Sequence, residues 1–376
     1  MGPLHASLAL PAPLAANPLS STTSHLLSLL FTSGYVGSIY LSNHLAGISK
    51  GKAKSTARAN GGEGSSLVPG NGPELPLPPI SATDPTSAPS DPIAGNDAFI
   101  TEDPNKPKPG ERNHPDTIRR RMKAVGVATG LSLGGVWWVV KTAGGYGGIK
   151  AIAPTLALLG LALPNSSSLP SLASIPRALL PYLLAPILFL GPLYATYLDG
   201  DTPSISYSRR DGLQIRWDRF GADSSDGWGL AEWRNYVVGP LTEELVFRSC
   251  LLAVALLSQT SMRTMVFATP LWFGIAHAHH AWETYTKGGR TSSAALQAVA
   301  GSVFQLTYTS LFGWFATYSF LRTASVFPAL ASHVFCNLMG IYLPHVAANR
   351  HPGKKGVIWG LYAVGIAGFV LGLRQL

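Results

Sequence analysis

Apolar runs recur through most of the chain, separated by polar stretches that carry lysine and arginine. A bilayer core needs about 20 helical residues to cross it. Runs at about 26–48, 124–141, 178–198, 237–258, 263–282, 296–320, 327–345 and 356–373 approach that length. The pattern predicts an all-α, polytopic membrane helix bundle with about eight transmembrane helices. The first run is mild, diluted by serines, Asn43 and His44. Residues 151–163 are short for a span and read as a half-span or an extension of a neighbour. Pro181 and Pro186 interrupt the third run, which membrane helices tolerate when neighbours satisfy the freed carbonyls.

Residues 50–115 change character, with Gly62, Gly64, the run Pro76-Leu-Pro-Pro79 and repeated Asp/Ser/Pro groups. Such a segment cannot bury enough apolar surface to offset its ordering entropy, and a disordered loop is expected. The chain thus divides into 1–49 with the first span, a Pro/Gly/Ser-rich loop over 50–118, and a helical core over 119–376. Lys50, Lys52, Lys54 and Arg58 flank one end of the loop and Arg119-Arg120-Arg121 and Lys123 the other. Positive charge at both ends puts the loop in the cytosol and the N-terminus across the membrane. The polar stretch 199–236, with five arginines, is expected on the cytosolic side too.

Composition agrees with a membrane. Of 376 residues 46% are hydrophobic and 12% charged, against about 25% charged in soluble domains. The net charge of +9 would suit nucleic acid, but no basic stripe is interleaved with stacking aromatics, so no nucleic-acid partner is expected. The lipid bilayer is. Cys250 and Cys336 build neither a disulfide framework nor a zinc ribbon. No lipid anchor is expected: Gly2 is followed by Pro3 and Ala6, and Leu373-Arg-Gln-Leu376 has no cysteine.

Three of the apolar runs carry groups that hydrocarbon penalises. A central Asp, Lys or Arg costs about 2.5–3.5 kcal/mol to insert, so such residues pair or line a cavity. Glu244 and Arg248 are spaced i,i+4 and form an ion pair on one helix face. Glu243 projects about 100° away from Glu244 and is left to face a cavity. An unneutralised carboxylate there suits a general base. In Phe273-Gly-Ile-Ala-His277 the ring and the imidazole share a face, so Phe273 can wall the pocket of His277. His279 and His280 read equally as interfacial polar residues, and the three histidines are poorly spaced to converge on one metal. His333 and Asn337, again i,i+4, can donate jointly to one oxygen, as an oxyanion hole requires. The His333–Asn337 pair alone reads as an interhelical hydrogen bond, while a salt-bridge network is the lesser reading of the first group, since packing needs one carboxylate per arginine. Together the three groups form a reaction constellation. Cys336 stands three residues after His333, as a nucleophile would, but an apolar run with no other cation argues for packing.

The ordered set Glu243-Glu244-x-x-x-Arg248, Phe273-x-x-x-His277 and His333-x-x-x-Asn337, with flanks over about 178–345, resembles the type II CAAX prenyl endopeptidases, a group of glutamate intramembrane proteases. The resemblance implies a multi-pass enzyme of the endoplasmic reticulum membrane. Its substrates would be prenylated CAAX proteins such as small GTPases, from which it removes the last three residues. It assigns Glu243 to water activation, His277 to orienting or deprotonating that water, and His333 and Asn337 to the oxyanion. Glu244 and Arg248 support the site. No covalent intermediate, cofactor or metal is expected. Two rivals remain: a zinc peptidase using Glu243, His277 and His333, and a non-catalytic scaffold or transporter using these residues as an ion path.

Overall fold

The computed structural model describes residues 4–60, 113–162, 175–200, 204–208, 212–216, 229–276 and 279–376, with backbone alone over 46–60, 175–176, 204–208, 212–216, 275–276 and 279–280 and at 283 and 287. Residues 61–112 of the predicted loop therefore lie outside the described residues, as do 201–203, 209–211 and 217–228 of the polar stretch and His277; the ends of that loop, 50–60 and 115–118, are helical.

Helix α1 (Ser21–Asn60) continues beyond the predicted end of the first span. Helix α2 (Pro115–Ala143) starts at His114, whose side chain accepts from the Asp116 amide at 3.3 Å, with Pro115 at its first position. Asp116 in its first turn and Lys141 in its last both complement the helix dipole. A short helix α3 (Ile152–Leu158) follows. Helices α4 (Ile175–Leu188) and α5 (Leu190–Leu198) meet at Phe189, and their axes bend by 55° there. Pro192, four residues past Leu188, has no N–H to give the Leu188 carbonyl, which accounts for the kink.

The polar stretch holds a departure from the all-α expectation: strands β1 (Ser204–Ser208) and β2 (Gly212–Arg216) pair antiparallel, Ser204 opposite Arg216 and Ser208 opposite Gly212. Their sequences alternate polar and apolar residues with period two, the strand signature.

Helix α6 runs through residues 230–257 without a break and is the axis of the fold. It packs on α1 and α2 and on three later helices: α7 (Met262–Ala276), α9 (Ser292–Thr323) and α10 (Phe327–Met339). Every residue from Val246 to Leu257 is at most 5% exposed. Helix α8 (His279–Lys287) lies against α9, whose N-cap Thr291 accepts from the Ala294 amide at 3.2 Å. Helices α11 (Pro344–Arg350) and α12 (Lys355–Gln375) close the chain. Lipid gives helices no hydrophobic reason to associate, so close approach of small residues matters. A Cβ at Gly191 of α5 would overlap the Tyr362 ring of α12. One at Gly365 would sit 2.8 Å from the Ile187 carbonyl.

The span count falls short of the expected eight. By length and composition two described helices can cross a bilayer, Pro115–Ala143 and Pro352–Gln375, with a third if the bent α4–α5 pair is one span. The reason is physical. Helices α7 and α10, at 15 and 13 residues, are shorter than the roughly 20 a straight crossing takes, while serine and threonine dilute α1 and α9. The outer surface is nonetheless apolar: Leu131, Leu296, Val299, Val364 and Leu371 are each more than half exposed.

Candidate active site

The Glu243–Glu244 pair sits in the middle of α6, between two turns of wider winding. Residues Trp233–Val238 and Leu245–Cys250 are π-helical, with hydrogen bonds from residue i to i−5; the Gly239 amide donates to the Arg234 carbonyl and the Leu251 amide to Val246. π turns inside α-helices are frequent at functional sites because each inserts one residue and re-aims those beyond it. Gly239 is required by the first. A Cβ there would lie 2.8 Å from the Arg234 carbonyl oxygen.

Pro240 then has a specific effect. In the π pattern the Asn235 carbonyl would accept from residue 240, but proline has no N–H to give. The carbonyl accepts instead from the Asn337 side chain, Nδ2 to O at 3.0 Å. One backbone vacancy thereby ties α10 to α6, and leaves the second amide N–H of Asn337 for other work.

The two glutamates part company. Glu244 is fully buried, with Oε2 3.2 Å from Arg248 Nε and Oε1 2.7 Å from His333 Nδ1. The Arg248 guanidinium lies over the rings of Phe273 at 4.7 Å and Phe312 at 5.4 Å. Its nitrogens have no hydrogen-bond acceptor of good geometry among the described residues. Charge and the two π faces hold it. Gly313 of α9 leaves the room: a Cβ there would approach Pro270 at 2.6 Å and Arg248 Nη2 at 3.6 Å. Phe273 therefore stacks on Arg248, a contact that the spacing argument with His277 did not foresee.

Glu243 is half-buried and lines an apolar cavity of about 1130 Å³ formed between α1, α2, α4, α6, α9, α10 and α12. His333 and Asn337 line the same cavity. His333 Nε2 is 3.8 Å from Glu243 Oε2, and Phe312 packs on the imidazole at 5.1 Å. One ring thus bridges both carboxylates. With Nδ1 donating to Glu244, a second donation from Nε2 needs the doubly protonated imidazole. Cys336 also lines the cavity, while Cys250 is buried in the core. Among the described residues no group of three or more His, Cys, Asp and Glu side chains is placed to hold a metal; His277 is not among them.

Three contributors escaped the reading of the sequence. Tyr35 of α1 lines the cavity, and its hydroxyl lies 2.9 Å from Thr242 Oγ1, beside Glu243. Its partner is 207 positions away, and no local spacing could reveal it. Asn235 and Pro240 carried a signal, since Gly-Pro inside an apolar helical run marks a backbone irregularity.

The chain matches the family model described as "Type II CAAX prenyl endopeptidase Rce1-like" over residues 228–339, the stretch that holds Glu243, Glu244, Arg248, Phe273, His277, His333 and Asn337. It is similar to the CAAX prenyl protease 2 of Homo sapiens, 37% identical over 273 residues, covering 70% of this chain and 73% of that protein. The CAAX prenyl protease 2 of Arabidopsis thaliana is 40% identical over 147 residues, 39% of this chain and 44% of the relative. The probable CAAX prenyl protease 2 of Schizosaccharomyces pombe is 34% identical over 158 residues, 42% and 52% of the two chains. No solved structure matches. On the length and identity of the human match, with all seven motif positions inside the family segment, this chain belongs to the type II CAAX prenyl endopeptidases.

Proposed function

We propose that this CAAX prenyl endopeptidase removes the C-terminal tripeptide from prenylated proteins by direct attack of a water molecule that Glu243 activates. The observation that carries the mechanism is the division of the glutamate pair. Glu244 is neutralised by Arg248 and tied to His333, while Glu243 faces the cavity. Glu243 takes a proton from water as the water oxygen bonds to the scissile carbonyl carbon. The carbonyl oxygen becomes an oxyanion, which accepts from His333 Nε2–H and the second N–H of Asn337. The C–N bond then breaks, and the proton held by Glu243 passes to the leaving amine. His277, by resemblance, helps to orient the water. Glu244 and Arg248 hold His333 in place.

The reading extends to the setting. The chain lies in the endoplasmic reticulum membrane as a bundle of about eight spans, with the shorter helices α7 and α10 packed against α6. The outward apolar side chains of α2, α9 and α12 support this. Small GTPases with prenylated C-termini are the expected substrates, because one prenyl chain gives marginal membrane binding and brings the peptide to an enzyme in the same bilayer. The organisation is an N-terminal span, a cytosolic loop over 50–118 and a peptidase core from 119.

The test is tripeptide release from a farnesylated peptide by purified Glu243→Gln enzyme, with thermal unfolding as the control for folding. Loss of release in a folded protein is expected. Undiminished release would remove Glu243 from the mechanism.

A further inference from the structure

The water attack leaves two cavity residues without a task. Arg121 of α2 and Arg234 of the first π turn line the same cavity as Glu243, which is the one carboxylate among its described lining residues. Arg234 is held in a fixed pose: Nε donates to Asn235 Oδ1 at 3.0 Å, and Nη1 and Nη2 donate to Asn113 Oδ1 at 3.3 and 3.2 Å. Asn113 precedes α2, and α2 packs on the turn that carries Arg234, so both guanidiniums belong to one end of the cavity. That end also adjoins the oxyanion donors, because Asn235, the neighbour of Arg234, is the residue that holds Asn337.

The spacing fits a short peptide. Arg234 is nine residues before Glu243 on one helix, about 13 Å at 1.5 Å per residue. Three extended residues span about 10–11 Å, and a guanidinium side chain makes up the remainder. A planar guanidinium matches a carboxylate in shape and charge, and can bind both of its oxygens.

We propose that Arg121 and Arg234 form a subsite for the C-terminal carboxylate of the tripeptide that leaves. A free chain terminus is then part of what this enzyme recognises, and the cut falls three residues in because the subsite stands that far from Glu243. This deepens the peptidase reading and rests on it.

The experiment uses two farnesylated peptides of one sequence, a C-terminal free acid and a C-terminal primary amide. Each is given to the full-length wild-type enzyme and to Arg121→Gln, Arg234→Gln and Arg234→Lys variants in the same lipid. In wild type the amide raises KM by about 10- to 100-fold, the value of a charge-assisted hydrogen bond, with kcat little changed. Arg121→Gln and Arg234→Gln move the acid-to-amide ratio toward one, and Arg234→Lys keeps part of it. Equal KM for the two peptides in wild type, the result if these arginines serve lipid phosphate instead, overturns the subsite and leaves the peptidase reading intact. An undiminished ratio in both glutamine variants does the same. Cleavage of neither peptide by wild type overturns both. If Arg234→Gln does not accumulate, the wild-type ratio and Arg121→Gln decide the matter.

Discussion

Two histidine–carboxylate contacts of equal length occur among the described residues, and only one of them faces a site. His333 meets Glu244 at 2.7 Å inside the bundle, and His351 meets Asp199 at 2.7 Å where α5 and α11 end. The outer contact is a complete knot. Tyr342 donates to Asp199 at 2.8 Å, Arg350 lies 3.4 Å from it, and the Tyr362 hydroxyl donates to the Tyr342 carbonyl at 2.6 Å. Burial pulls the Asp199 carboxyl up, but the hydrogen bonds from His351 and Tyr342, with the charges of Arg350 and His351, hold it below its usual range. The inner contact has the same knot, with Arg248 as its cation, and one group more. Glu243 stands 3.8 Å from the far side of the same imidazole, on the cavity. A histidine paired to a carboxylate is therefore architecture in both places. The additional carboxylate, with a space in front of it, converts one into a site.

The comparison breaks first at Glu243. Glu243→Gln should lower kcat by about 10²–10⁴-fold, the usual contribution of a general base, with an unfolding temperature near that of wild type. Glu244→Gln should do the reverse in kind. It leaves the buried Arg248 unpaired, at a cost of about 3–5 kcal/mol, and thermal unfolding should register the loss; adding Arg248→Met should recover part of it. Asn337→Ala removes an oxyanion donor and should reduce kcat and kcat/KM together by about 10²–10³-fold, as steady-state kinetics would show. The smallest effect belongs to the outer knot. Asp199→Asn should cost about 1.5–3 kcal/mol at most and leave kcat unchanged. Its pH dependence has a definite sign. A carboxyl depressed in the folded state stabilises above its unfolded pKa, and that stability is lost as pH falls through the folded value. The difference in unfolding temperature between Asp199→Asn and wild type should hold constant from pH 7 to 5 and shrink only in stronger acid.

Local spacing carried much of the inner site. The Glu244–Arg248 pair and the outward turn of Glu243 follow from i,i+4 geometry and 100° per residue, and both survive the π turn that begins at Leu245. His333 and Asn337 share a cavity as their spacing requires. What spacing could not give is which helix meets which. His333 is bonded to Glu244, 89 positions away, and Asn337 to Asn235, 102 positions away. Tyr35 comes from a run so diluted with serine that it ranked as a mild span, yet it lines the cavity. Hydropathy points to eight spans where the length and composition of the described helices support two or three, for a related reason. It measures the composition of a run and is blind to how far that run continues as one straight helix, as the bend at Phe189 illustrates.

Proline is generally described by what it does to shape. At position 240 its consequence is one of supply and demand within the backbone. Any other residue there would bring an N–H, and its natural acceptor in the π pattern would be the Asn235 carbonyl, five residues back. The helix would then heal itself, and Asn337 would lose its tether without a single side chain of the site having been altered. The most conservative-looking route to a better helix is thus a route to a worse enzyme. The order of the reaction centre depends on a donor that the chain does not possess.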